Sequence, residues 1–351
     1  MTLDVLDRLP VTTLFQAAWR RLPSPQQLLI DAHHLNSKHH FYYFSWGRHA
    51  LYWLIKTAGW PQVAVPDFTC PVVVDAITAA GAQPVFLKTD PHTLLLDLDS
   101  LSPAAKVPAI VAVHTHGLVE NITAIKKLLP HIHIIEDCAP ALLSRQGNHL
   151  VGRRGHSVLV SLYKQVNGLN GALLTTSLNL TRYSQPEPAL SYWRRLLLRL
   201  DGPWQWYFDR RRRHQKHQLR HLPFVTDQAA ADLSRRLFSL NFTAAEKSAA
   251  QIQALIPFYQ QHTQSLANVE AITIDKHTWP NLYRYPILLK NNRDQVLLRL
   301  RSQGIFVDAL WDDAYGNSEI TPHILTLPIK PEYNQAIINQ LFTALEQATK
   351  S

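Results

Sequence analysis

Only two cysteines occur among the 351 residues, Cys70 and Cys138, and they stand far apart inside apolar segments. A disulfide framework is thereby excluded in practice, and a reducing compartment, the cytoplasm, is expected. Long apolar runs are missing as well. The richest, FYYFSWGRHALYWLI, is interrupted by Arg48 and His49 and falls short of the roughly 20 residues that span a bilayer. The first residues, MTLDVLDRLPVTTLF, carry acids and an early proline where an export signal has a basic flank and an apolar core, so no export signal is expected. Zinc-type Cys/His spacing is lacking despite 18 histidines, so no bound metal is expected. Charged residues are scarce at 17%, whereas 46% of the chain is hydrophobic and nine residues are Trp, which suffices for a sizeable core without staples.

The charge that is present is unbalanced. A net +9 points to an anionic partner, whether nucleic acid, a membrane surface or a phosphorylated small molecule. Much of it is local, in the basic and aromatic stretch from Tyr192 to His221. The Arg run at 210–213 has no recognised nucleic-acid motif around it, so no nucleic-acid partner is expected. Trp193, Leu196, Leu197, Leu200 and Trp204 leave two readings open for 192–221: weak contact with a membrane surface, or a subunit-interface helix with an exposed basic end.

From Val63 to about Thr176, short β-rich runs (VAVP, PVFL, AIVAV, HIIED, SVLVS, ALLTT) alternate with helical patterns. Such alternation is the signature of a mainly parallel sheet covered on both faces, an α/β fold. Ala and Leu at helical spacing after residue 225 predict a long helix, and the remainder alternates strand and helix as in a small α+β domain. The expected division is a large domain over 1–225 and a linking helix with a small C-terminal domain over 226–351.

Function in parallel sheets collects at the carboxyl ends of the strands. Glu136 and Asp137 end the HIIED run, where a carboxylate ligands a metal, acts as a base, pairs with a cationic ring or simply caps the next turn. Ser161 and Lys164 follow SVLVS, and Gly168 and Gly171 turn the chain back into ALLTT. Taken alone, such a lysine is a solvated charge as readily as a functional one. Ser45 and Gly47 precede an amphipathic helix that starts either as a phosphate-binding helix N-terminus or as an ordinary one.

Taken together and in order, SWGRHAL, VAVPDFTCPVVVDAITAAGAQPVFLKTD, AIVAVHTHGLVENITAI, IIEDCAPAL, SLYKQVNGLNGALLTT, VTDQAAADL and LTLPIKPEYN resemble the DegT/DnrJ/EryC1/StrS family of sugar aminotransferases. The resemblance implies the type I fold of pyridoxal 5′-phosphate (PLP) enzymes: a mainly parallel sheet flanked by helices, with a smaller α+β C-terminal domain. It implies that Lys164 carries PLP as a Schiff base and that Asp137 faces the protonated ring nitrogen. It places Gly47, Arg48 and Ser161 around the cofactor phosphate and Phe68 or Cys70 near the cofactor ring. Desolvation and the neighbouring cationic ring are expected to lower the Lys164 pKa. A homodimer is implied as well, with a small-molecule amino donor, glutamate being usual, and a phosphorylated keto-sugar acceptor.

Several positions depart from the family pattern. Pro140 stands where Gln or His commonly contacts the phenolic oxygen of the cofactor, Cys70 where an aromatic ring stacks, and Phe224 where the neighbouring subunit's asparagine is expected. The loop between Ser161 and Lys164 is also shorter than usual. These thinned contacts leave open another PLP reaction, such as dehydration or action on an amino-acid-like substrate, and a non-catalytic binding or regulatory descendant.

Overall fold

The computed structural model describes residues 10–33, 39–166, 168–180, 232–311 and 318–350. The segment 192–221, Phe224 and most of the VTDQAAADL stretch lie outside the described residues, so the expectations placed on them are not addressed by the fold.

A seven-stranded sheet organises the N-terminal half, in the spatial order His40–Phe44, Ala172–Thr176, Ser157–Ser161, His133–Asp137, Ala109–Val113, Gln62–Pro66, Gln83–Leu87. Pairing is parallel from Gln83–Leu87 across to Ser157–Ser161, and only Ala172–Thr176 runs against its neighbours. Central strands such as AIVAV are buried along their whole length, which is why they read as continuous apolar runs and not as alternating ones. Helices Gly47–Ala58, Pro71–Ala79 and Ile122–Leu128 connect the parallel strands. The strand His40–Phe44 was not anticipated, because its aromatic run merges with the helix that succeeds it.

The predicted long helix is present as Asp232–Gln264, 33 residues whose buried face includes Leu237, Phe238, Phe242, Ile252, Ile256 and Tyr259. It leads into a three-stranded antiparallel sheet of Val269–Ala271, Tyr285–Leu289 and Ile324–Leu327, packed with helices Arg293–Ser302 and Gln335–Lys350. In the segment FVDALW, Asp308 forms an antiparallel bridge with Thr326. Its carboxylate is buried between Arg301, at 2.6 Å, and Arg284. Among the described residues, no helix is long and apolar enough to cross a membrane.

A close contact at Gly117 helps to tie the two regions together. Gly117 has φ +105°, and a Cβ there would lie 2.4 Å from the Asn281 carbonyl oxygen and 2.8 Å from Leu282 Cα. Ser144 fixes the same junction by donating to the Gly117 carbonyl at 2.9 Å and accepting from the Asn281 amide at 2.8 Å. Gly117→Ala would meet both steric overlap and a strained backbone, so we expect a loss of roughly 2–4 kcal/mol in urea unfolding. A loss below about 0.5 kcal/mol would mean that this junction is loose.

Candidate active site

A cavity of about 290 Å³ opens at the carboxyl ends of the parallel strands. Its walls bring together Gly47, Arg48, Cys70, Asp137, Ser161 and Lys164, six of the seven residues singled out from sequence. Phe68 is the exception. It is fully buried in the core shared with the C-terminal region, behind His116 and Trp311 at ring distances of 6.4 and 5.3 Å, so the expectation that it faces a cofactor ring is corrected. Phe68 and Cys70 are only two residues apart, but the chain turns between them into the helix Pro71–Ala79, and Cys70 is the one that faces the cavity.

Each position has a local cause. Asp137 ends a buried strand, and its Oδ1 accepts from the Ala139 amide at 2.9 Å, so the turn holds the carboxylate still. Burial raises the Asp137 pKa, opposed by Lys164 and the Ala139 amide. Glu136, the other half of the pair, points away from the cavity chemistry. Its oxygens accept from His114 Nε2 and from the amides of Gly152, Arg154 and Gly155. Since His114 Nδ1 accepts from the Glu120 amide, its Nε2 carries the proton given to Glu136. His114 thus sits in a structural network at the strand end, and the nearby His114, Glu136 and Cys138 cluster has its nitrogen and carboxylate positions already in use.

Lys164 lies three residues past the strand end, in a loop folded back so tightly that a Cβ on Gly168 would lie 2.3 Å from the Leu162 carbonyl oxygen. Gln165, next to it, donates to the Asn281 carbonyl and so anchors the loop to the C-terminal region. Burial alone lowers the Lys164 pKa, but Tyr163, Cys70, Asp137 and Tyr283 together outweigh it and hold the amine above its ordinary value. The expected lowering included a cationic ring beside the amine and so concerns the loaded site; the protein groups alone favour the proton.

At the opposite wall the helix Gly47–Ala58 begins at Trp46 with no side-chain cap; the His49 and Ala50 amides donate to the Trp46 carbonyl, which leaves those of Gly47 and Arg48 for another acceptor. A Cβ on Gly47 would come within 3.2 Å of Leu159, so a larger residue would displace this turn. The Arg48 guanidinium lies over the Trp46 ring at 5.7 Å, and its Nε is buried with no partner among the described residues. Ser161 presents its hydroxyl from the adjacent strand end. An uncapped helix start, an under-satisfied guanidinium and a hydroxyl form a donor set suited to a phosphate. The buried carboxylate and the amine opposite suit a cationic ring and an aldehyde, so the cavity fits PLP.

Sequence reasoning missed His116, Tyr283, Leu310 and Trp311. The last three come from the C-terminal region, and nothing in their local sequence marks them as neighbours of Lys164. For His116 a signal existed in the glycine just after it, since a left-handed turn there aims a side chain inward.

A model of the DegT/DnrJ/EryC1/StrS aminotransferase family matches residues 32–323. Among curated proteins, the L-glutamine:2-deoxy-scyllo-inosose aminotransferase of Streptomyces kanamyceticus is 33% identical over 130 residues, 34% of this chain and 30% of that protein. The UDP-4-amino-4-deoxy-L-arabinose–oxoglutarate aminotransferase of Shewanella sediminis is 31% identical over 136 residues, 37% of this chain and 35% of that protein. The matched region therefore spans about a third of each. Among solved structures, Helicobacter pylori PseC, an aminotransferase involved in the biosynthesis of pseudoaminic acid, superposes with a TM-score of 0.75 at 13% identity, covering 100% of both chains.

Proposed function

The chain belongs to the DegT/DnrJ/EryC1/StrS aminotransferase family, and from that premise we propose that it is a PLP-dependent aminotransferase moving an amino group from an amino acid to a keto sugar. The observation that carries this reading is the convergence of Lys164 and Asp137 in one cavity opposite the uncapped helix start at Gly47. PLP supplies an electron sink for the carbon that loses a proton. The chain's own part is to hold it and to move protons. In this reading Lys164 binds the aldehyde carbon, Asp137 holds the ring nitrogen, and Gly47, Arg48 and Ser161 hold the phosphate. Lys164 then serves as the acid and base at the substrate carbon.

The raised pKa of Lys164 fits this order of events. Engagement of Asp137 by a cationic ring would remove one of the influences that favour the proton on the amine, beside those of Tyr163, Cys70 and Tyr283. Glutamate as donor and a phosphorylated, nucleotide-linked sugar as acceptor complete the reading. They are supported by the name of the Shewanella relative and by the excess of 35 Lys and Arg over 26 Asp and Glu. Trp46, Tyr163, Tyr283 and Trp311 give the cavity aromatic walls, which suit the C–H face of a sugar ring. A homodimer in the cytoplasm belongs to the same proposal, supported by the family resemblance and by two unpaired cysteines.

The test is the absorption spectrum of the purified protein titrated with PLP and then with L-glutamate. A visible band that forms with PLP and moves to shorter wavelength with glutamate is expected. A protein that stays colourless would overturn the reading.

A further inference from the structure

We propose that His116 holds the phenolic oxygen of the cofactor, making from a neighbouring strand end the contact that Pro140 has no donor to make. The inference rests on the PLP reading of the cavity. His116 and Pro140 both line the cavity that holds Lys164 and Asp137. The His116 side chain is 2% exposed, and its Nε2 is buried with no hydrogen-bond partner among the described residues. Buried polar atoms in native proteins nearly always have a partner, and an orphan beside a ligand cavity is accounted for when the ligand supplies it.

The ring is also held in place before any ligand arrives. It stacks on Trp311 at 5.1 Å and 15°, with Phe68 behind it. Its backbone lies at φ 55°, in the left-handed region, and its carbonyl accepts from the Tyr283 amide at 3.0 Å. Gly117, the next residue, is locked against Asn281. A non-glycine residue stays in that conformation only where its surroundings over-determine it, and such strain concentrates at functional sites. The ring held in this way carries an Nε2 that has no partner among the described residues.

Charge decides what the imidazole offers. Burial first, then Arg284 and Lys164, push its pKa down to about 3, so at neutral pH the ring is uncharged. In the tautomer with the proton on Nε2 it donates one hydrogen bond and adds no cation beside Lys164. A neutral donor on a phenolic oxygen stabilises the anion and draws charge from the neighbouring imine nitrogen. The pH at which the visible band loses its proton is thereby lowered. Lys164, Asp137, Cys70, Tyr163, Tyr283 and Arg48, the other titratable groups around the cavity, keep their side chains in the His116 variants.

The experiment titrates PLP into wild type, His116→Phe and His116→Gln, reading affinity and the apparent pKa of the band, with circular dichroism as the folding control. Phe keeps the ring stack on Trp311 and removes Nε2; Gln returns a donor at similar reach. Phe is expected to weaken PLP about threefold to tenfold and to raise the band's pKa by about one unit, with Gln within about twofold of wild type. Wild-type values in the Phe variant, or a Gln variant as impaired as Phe, would overturn the contact. If Phe does not fold, His116→Asn takes its place. Asn accepts the left-handed backbone but is too short to reach, so it should show the same loss, and a wild-type band in Asn would sink the idea. A colourless wild type would instead remove the PLP reading itself, so the two failures are distinguishable.

Discussion

Replacing Lys164 by alanine is expected to abolish the visible PLP band and to lower amino transfer by at least about 10³-fold, since one side chain both anchors the aldehyde and carries the proton. The fold should survive. The loop is anchored not by Lys164 but by its neighbour Gln165, through the Asn281 carbonyl. Thermal unfolding of the variant is expected to be cooperative but somewhat lower than wild type, because the surroundings that raise the Lys164 pKa favour its ammonium and buried Asp137 loses a compensating charge. The same variant separates anchoring from phosphate binding. Gly47, Arg48 and Ser161 are untouched, so PLP should still bind reversibly, quench the fluorescence of Trp46 in the cavity wall, and wash out on dialysis. A variant that keeps the covalent band would reassign the anchor, and one that keeps the activity would remove Lys164 from the chemistry.

Loading should also depend on pH in a fixed direction. The free amine is the nucleophile, and Tyr163, Cys70, Asp137 and Tyr283 hold its pKa above the ordinary lysine value against the effect of burial. The rate of band formation is therefore expected to rise with pH across the neutral and mildly alkaline range.

How much of this was legible in the sequence depends on where each residue gets its position. Asp137, Ser161 and Lys164 were readable because a parallel strand announces itself as an apolar run, and the residues at the end of that run sit at the carboxyl edge of the sheet. Gly47 and Arg48 were readable because a helix start is a local event. Phe68 was misplaced although it is two residues from Cys70, since the direction of a loop side chain depends on the groups packed behind it. In this case the group is Trp311, more than 200 positions away in a region whose docking no periodicity encodes. Tyr283 was invisible for the same reason. His116 stood in plain view beside His114, yet the two serve opposite ends: His114 is saturated within the protein, and Nε2 of His116 is not. Only hydrogen-bond partners, which are tertiary, tell them apart.

Glu136→Gln is expected to destabilise the protein by about 3 kcal/mol. Burial alone would raise the Glu136 pKa, but the His114 bond and charge and the amides of Gly152 and Gly155 more than reverse this, holding it at about 2. A carboxyl whose folded pKa lies below its unfolded value contributes stability that is complete above the unfolded value, near 4.5, and is lost as pH falls to about 2. Urea unfolding of wild type should therefore weaken across that interval, and the Gln variant should show a flatter profile there. Glutamine makes matters worse by turning an NH₂ toward donors: whichever way the amide sits, it faces an imidazole N–H or a backbone N–H that previously met an oxygen. Glycine at 155 shows how closely this loop is drawn in, since a Cβ there would lie 2.6 Å from Glu136 Cβ. The consequence should reach the cavity, because Glu136 precedes Asp137 on one buried strand. A loosened loop at 152–155 frees the strand end that aims Asp137, and PLP affinity should fall together with stability. Destabilisation below about 1 kcal/mol, or unchanged acid sensitivity, would show that the loop finds other acceptors and that the strand end is held by the sheet alone.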